Sequence, residues 1–183
     1  MTALPFHLAA YGQRDNKNID VKGYNCIIYG VDDVLRNMQQ SRTLFLKHHE
    51  IKKFDQIFVE IANPYRYDDK EMINPTTVNE MVFLQRRVLV LCETKRIPFI
   101  GMDTWQPNIH SCDTPGINQV HSTVIRETEM IYQIKRAMTK GKRIAVFVSN
   151  IHLRDDYSAL VGPPLFIPAL TQSPVLVFRK RNV

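Results

Sequence analysis

Short apolar runs that stop abruptly at polar or charged residues recur along this chain. We expect buried strands at residues 24–29, 57–62, 99–102, 144–148 and 175–178. These runs are rich in β-branched and aromatic residues, which favour strands over loops. The pattern therefore predicts a sheet whose strands end at polar side chains.

Between these runs, apolar residues recur at the spacing of amphipathic helices. The first predicted helix follows a cap at Asp32 or Asp33 and continues to about residue 48. A second begins after Asn74, and a third covers residues 118–140 and ends at Gly141. Strands that alternate with helices predict right-handed βαβ units and a mostly parallel sheet.

The predicted fold class is therefore α/β, as a single-domain three-layer sandwich with a mostly parallel central sheet and helices on both faces. Because no helix is predicted between the last two strands, we expect an antiparallel strand at one edge. Residues 1–22 contain Pro5, Gly12 and a polar run, which indicate a loosely ordered N-terminal arm. Residues 23–183 are expected to form the single α/β domain.

Composition and charge limit the class of protein further. The chain is 44% apolar and 23% charged, which is typical of a globular protein. Its net charge of +6 makes nucleic acid a possible partner, although the basic residues are spread along the chain. The cysteines Cys26, Cys92 and Cys112 suggest no close pairing, and no apolar stretch reaches the length of a membrane span. We therefore expect a cytoplasmic protein that does not span a membrane.

Four polar residues stand at the predicted strand ends, namely Asp33, Glu60, Asp103 and His152. In open α/β sheets, ligands bind outside the carboxyl ends of the strands. A carboxylate in that position is partly desolvated, so it is a candidate general base or metal ligand. We therefore predict that these four side chains converge on a catalytic site. Asp33, Glu60 and His152 are the candidate ligands of a possible divalent metal, and any other cofactor is unknown.

Each of these residues also has a structural interpretation. Asp33 could be no more than a helix N-cap, Asp103 could cap the loop after its strand, and His152 could be a hydrogen-bonded edge histidine. Glu60 is harder to explain in this way, because a buried glutamate needs a partner.

Three further residues are candidates for binding substrate. Arg126 is a candidate clamp for an anionic or carbonyl group, and Asn150 follows the same strand as His152. Trp105 lies in the segment 104–116, a long loop after a strand end that we expect to act as a lid.

Several common enzyme motifs are missing from the chain. It has no GxGxxG, no Walker loop, no GxSxG elbow and no HExxH. Nucleotide-dependent transfer, serine hydrolysis of the usual α/β type and zincin proteolysis therefore lose their main sequence support.

The order of several short motifs resembles the superfamily that joins erythromycin esterases, ChaN-like haem-binding proteins and TraB/TIKI proteins. The matching pieces are Arg126, Glu127 and Met130 at a helix start, the strand end Ser149 to His152, the Val59-Glu60-Ile61 run, Met102-Asp103, and Gly30 to Asp33. At Asp33 this chain has aspartate where the family pattern has histidine.

The resemblance implies a site of histidines and a glutamate, which activates water or binds a divalent metal in some members and holds haem in others. The first hypothesis is therefore a hydrolase-like α/β protein that resembles enzymes of the erythromycin esterase or TIKI type and acts on a small-molecule substrate. Glu60 or His152 would be the base, and Asp33 a metal ligand or orienting group. The alternative is a catalytically degenerate binding protein whose basic surface contacts a protein or nucleic-acid partner.

Overall fold

The computed structural model describes residues 5–32, 35–62, 66–67, 94, 96–97, 99–103 and 117–181. The helix predicted after Asn74 and the lid predicted at 104–116 lie outside these residues. So do the candidate site residues Asp33 and Trp105.

The described part of the chain alternates strands and helices, as the apolar pattern predicts. The strands are β1 (His7–Ala10), β2 (Cys26–Val31), β3 (Gln56–Ala62), β4 (Arg66–Tyr67), β5 (Phe99–Asp103), β6 (Ile144–Ser149) and β7 (Val175–Arg179). The α-helices are α1 (Leu35–Lys52), α2 (Ile117–Thr139) and α3 (Phe166–Leu170), and short 3-10 turns lie at Arg14–Asn18, Val21–Gly23 and Asn150–Leu153. None of the described helices has the length and apolar character needed to cross a membrane.

These strands form one sheet in the order β1-β7-β2-β6-β3-β5-β4. All neighbouring pairs from β1 to β5 are parallel. The two-residue β4 lies antiparallel to β5 at the edge, a feature that the apolar pattern does not indicate. The protein is therefore an α/β protein with a mostly parallel central sheet.

The two faces of the sheet are covered by different helices. On one face, Phe45 of α1 packs with Tyr29 and Phe147 of the sheet. On the other, Met130 and Ile134 of α2 pack against alternate strand residues, together with Phe166 and Leu170 of α3. Fully burying one such large apolar side chain stabilises the fold by roughly 1.5–3 kcal/mol. The sheet and its two helical layers form the predicted three-layer sandwich.

The prediction of an antiparallel last strand is wrong. Strand β7 lies inside the sheet, parallel to both β1 and β2. The reason is α3, a helix of only five residues between β6 and β7. Its Phe166 and Leu170, one turn apart, are both fully buried against α2 and the sheet. This short helix lets the chain cross the face of the sheet and return in the parallel direction.

The predicted N-terminal arm is also not separate from the fold. Within residues 1–22, β1 adds to the sheet beside β7, and Ala9 is only 1% exposed. The Tyr11 hydroxyl donates a hydrogen bond to the Gly30 carbonyl oxygen at 2.8 Å. Four residues are enough to make this strand, because pairing with β7 supplies the backbone hydrogen bonds that such a short segment lacks alone.

A buried histidine lies in the aromatic core between α1 and the sheet. His48 is 4% exposed, and its Nδ1 is 2.8 Å from the Tyr29 hydroxyl. Burial lowers the pKa of His48 to about 4, with a further contribution from Lys47. His48 therefore stays neutral in the folded protein over the pH range in which an ordinary histidine takes up a proton.

This histidine makes the protein sensitive to acid. Between the ordinary pKa of 6.5 and about 4, the unfolded chain binds a proton that folded His48 does not, so stability falls as pH falls through this range. We expect His48→Gln to reduce the loss of unfolding free energy between pH 7 and pH 4 by about 2–3 kcal/mol. Urea unfolding at several pH values measures this, with His121→Gln, at an exposed histidine, as the control. Equal losses in His48→Gln and wild type would show that His48 is not the cause.

Candidate functional site

The carboxyl ends of three neighbouring strands bring the predicted site residues together. Strand β3 pairs with β5 on one side and β6 on the other. Glu60 lies near the end of β3 and Asp103 ends β5. His152 belongs to the 3-10 turn that follows β6 directly. Because parallel strands end at the same edge, residues far apart in sequence become neighbours here.

His152 is held between two carboxylates. Its Nε2 is 2.9 Å from Glu60 Oε1, and its Nδ1 is 2.8 Å from Glu127 Oε1. Burial alone would lower the pKa of His152, but the charge of Glu60 and the hydrogen bonds to Glu127 and Glu60 raise it to about 9. At neutral pH the ring is therefore an imidazolium that donates a hydrogen bond from each nitrogen.

Glu60 receives hydrogen bonds at both carboxylate oxygens. The backbone N–H of Ser149 donates to Oε2 at 2.6 Å, while His152 and, at 3.4 Å, Arg126 Nη2 contact Oε1. Burial alone would raise the pKa of Glu60, but the charge and hydrogen bond of His152, together with Ser149 and Arg126, lower it. Glu60 is therefore a buried carboxylate that stays ionised.

Glu127 and Arg154 form the inner end of this network. Glu127 is 0% exposed, and its Oε1 accepts a hydrogen bond from Arg154 Nη1 at 2.6 Å. Arg154, itself 4% exposed, also donates to backbone carbonyls of Ile151 at 2.8 Å and Gly162 at 3.3 Å. Buried charges cost several kcal/mol each unless they are paired and hydrogen-bonded, and these two compensate each other.

Arg126 forms the outer end of this network of charged side chains. Its Nε and Nη2 bind Asp103 Oδ1 and Oδ2 at 2.8 and 2.6 Å, a bidentate arrangement. The Arg126 side chain is 18% exposed, compared with 5% for Asp103, 11% for Glu60 and 3% for His152. Arg126 is therefore the charged group of this network that solvent or a ligand reaches most readily.

The structure brings together some of the predicted site residues and separates another. Glu60, Asp103 and His152 lie together as predicted from the strand ends, and Arg126 of α2 contacts both Glu60 and Asp103. Asn150 instead lies outside this network. Its Oδ1 accepts a hydrogen bond from the Lys180 backbone N–H at 3.0 Å, and its Nδ2 is 3.5 Å from Asp32 Oδ2.

Asn150 thereby fastens the ends of β2, β6 and β7 to one another. A Cβ added at Gly30 would collide with Asn150 Oδ1 and with Leu153, so this packing requires glycine there. The predicted role of Asn150 in substrate binding at the Glu60 site does not fit this position, because its oxygen accepts a hydrogen bond from the backbone just after β7.

Two members of the network were not among the predicted site residues. Glu127 carries a sequence signal, since it occupies the apolar stripe of α2 in line with Met130, Ile131 and Ile134. A glutamate on the buried side of a helix needs a partner. Arg154 carries no such signal, because it follows a 3-10 turn that has no periodic pattern.

The described residues do not fit the predicted metal centre. Asp33 lies outside the described residues, and both ring nitrogens of His152 already contact carboxylate oxygens, so a metal ion would have to displace one of these contacts. Within the described part of the chain, no group of three or more histidine, cysteine, aspartate or glutamate residues is arranged to hold a metal ion.

A comparison of the chain with family models, with curated proteins and with solved structures finds no match. The resemblance to the erythromycin esterase and TraB/TIKI superfamily therefore stays a prediction from short motifs.

The charge on His152 makes stability depend on pH in the opposite sense from His48. The folded pKa of about 9 exceeds the ordinary 6.5, so this contribution is full below pH 6.5 and is lost as pH rises to about 9. We expect the ring protons of His152 to titrate in NMR with a midpoint near 9, and Glu127→Gln to lower that midpoint. A midpoint below 7 in the wild type would contradict the imidazolium assignment.

Removing one buried charge should destabilise the protein strongly. Glu127→Gln leaves Arg154 and His152 without their shared carboxylate, and we expect a loss of about 3–5 kcal/mol in the free energy of unfolding. The control is Asp55→Asn at the Arg143–Asp55 ion pair, whose aspartate side chain is 38% exposed. Because solvent screens that pair, a smaller loss is expected there. Similar losses in the two variants would contradict the buried-network interpretation. Urea denaturation at pH 6.5 measures both.

Proposed function

We propose that this protein is a hydrolase-like α/β enzyme whose site is formed by Glu60, Asp103, Arg126 and His152, and that it acts on a small substrate with a carbonyl or anionic group. The observation that carries the proposal is the chain of contacts from buried Glu127 through His152 to Glu60 at the carboxyl ends of parallel strands. Buried ionisable groups with shifted pKa values at such an edge are typical of functional sites.

In this proposal Glu60 is the base rather than His152, which is supported by the protonation states of the two groups. Because His152 is already protonated at neutral pH, it cannot take a proton from water. Glu60 is an ionised carboxylate beside the partly exposed Arg126, so it can accept that proton. The imidazolium stays within hydrogen-bond distance of Glu60 Oε1, so the Glu60–His152 pair holds the proton that the departing group later needs.

The proposed reaction proceeds in two steps. Water gives a proton to Glu60 as its oxygen bonds to the substrate carbonyl carbon, and the negative charge that develops on the carbonyl oxygen faces Arg126. The bond to the leaving group then breaks, and the proton returns from the Glu60–His152 pair to that group. Asp103 acts as a positioning residue, because it holds two nitrogens of the Arg126 guanidinium.

The test compares wild type with Glu60→Gln and Arg126→Lys on p-nitrophenyl acetate, p-nitrophenyl phosphate and a γ-lactone. Arg143→Lys is the matched control, because Arg143 also pairs with an aspartate but immediately precedes β6, at the amino end of the sheet. We expect at least a ~100-fold loss of kcat/KM in both site variants and little change in the control. Near-UV circular dichroism confirms that each variant is folded. Undetectable hydrolysis by the wild type, or full activity in folded site variants, would overturn the proposal.

A second function is favoured by one specific observation, the engagement of both His152 nitrogens with carboxylates. A ring held in this way suits a non-catalytic protein that keeps the network for structure and binds a protein or nucleic acid through its basic surface. Binding of an RNA or DNA oligonucleotide that weakens steeply between 50 and 200 mM salt, without any hydrolysis, would support this alternative.

A further inference from the structure

A second concave surface lies at the carboxyl ends of β2 and β6, on the other side of the Asn150–Leu153 turn. These strands are parallel neighbours. After β2 the chain enters α1, on one face of the sheet, whereas after β6 it leads to α3, on the opposite face. Where the chain departs from adjacent strands in opposite directions, an α/β sheet opens a crevice that binds ligands.

This crevice contains a pocket with a volume of ≈ 430 Å³, which we call the Tyr157 pocket. Asn150 and Arg154, both at least 95% buried, line it together with Asp32, Lys180 and the exposed segment around Tyr157. The volume is in the range of sites for small molecules. Glu60, Arg126 and His152 do not line this pocket, so it is distinct from the proposed hydrolytic site.

Among the described lining residues of the Tyr157 pocket, the cations Arg154 and Lys180 already have hydrogen-bond or ion-pair partners. All the guanidinium nitrogens of Arg154 donate hydrogen bonds, to Glu127 and to the carbonyls of Ile151, Val161, Gly162 and Pro163. Lys180 Nζ is 3.4 Å from Asp32 Oδ2. Each of these cations is therefore paired with a carboxylate, and with Asp156 in addition the described lining has no excess of positive charge to attract a phosphate or carboxylate ligand.

The lining also contains oxygen acceptors and an aromatic side chain. Asp32 and Asp156 present carboxylates, and Ser158 a hydroxyl, which suits a ligand rich in hydroxyl donors. Tyr157 is 68% exposed and Ile151 is 42% exposed, so an apolar surface stands beside these acceptors. Aromatic faces next to acidic side chains suit a ring that has C–H groups on one face and hydroxyls at its rim.

We propose that the Tyr157 pocket binds a neutral pyranose sugar, stacked on Tyr157 with its hydroxyls directed toward Asp32 and Asp156. Sugar binding in this pocket does not require the proposed hydrolysis to take place. It has a route to influence that site, because Asn150 and Ile151 of the pocket precede His152 directly in the same turn.

Saturation-transfer NMR and calorimetry test the proposal with methyl α-D-glucopyranoside, methyl α-D-mannopyranoside, D-glucosamine and D-glucuronate. We expect transfer to the ring protons of at least one neutral glycoside and weaker binding of glucuronate. Tyr157→Ala should weaken the neutral glycoside about tenfold, the size of one lost aromatic contact. Tyr132→Ala is the matched control, since Tyr132 is 57% exposed on α2 and does not line the pocket.

Several outcomes would overturn the proposal of a neutral-sugar site. If no neutral glycoside binds, or if Tyr157→Ala binds as wild type does, the pocket is not a sugar site. Tighter binding of glucuronate would identify an anion site, and binding of glucosamine alone would identify a cation site. Failure of hydrolysis with retained glycoside binding would reject the proposed function and leave this inference intact.

Discussion

The imidazolium of His152 between Glu60 and Glu127 is the interaction on which the carboxyl edge of the sheet depends. It joins β3, α2 and the turn after β6 through two hydrogen bonds, at 2.9 and 2.8 Å. A charge in such a buried place is stable only when its partners are themselves compensated. Arg154 does this for Glu127, and Ser149 N–H together with Arg126 does it for Glu60. The position of each of these residues follows from that requirement.

Two histidines show how partners, more than burial, decide the state of an ionisable group. His48 and His152 are 4% and 3% exposed. His48 has a neutral tyrosine hydroxyl as its partner, so the cost of desolvation dominates and its pKa falls to about 4. His152 meets two carboxylates, whose attraction exceeds the same cost and raises its pKa to about 9. The core thus holds a neutral ring on one face of the sheet and a charged ring at its edge.

Apolar runs predict the strands and the convergence at their ends, because strand ends share an edge in any parallel sheet. The structure therefore agrees with the sequence on the contact between Glu60 and His152. The order of the strands could not be predicted in the same way. Strand β7 lies between β1 and β2 because the chain returns through a five-residue helix around Phe166, which is too short to give a periodic pattern. The role of Arg154 could not be predicted from the sequence either, since only the folded turn directs its side chain toward Glu127.

The balance of charge at this edge makes Arg126 the group at which a ligand would disturb the network least. Among the described residues of the network, Glu60, Asp103 and Glu127 face the three cations Arg126, His152 and Arg154. The inner pairs are shielded from water and cannot separate without leaving a buried charge unpaired. Arg126 is 18% exposed, so an incoming carbonyl or anion can share its guanidinium at the lowest cost. A substrate there would draw Arg126 away from Glu60, and a carboxylate that loses a neighbouring cation becomes a stronger base.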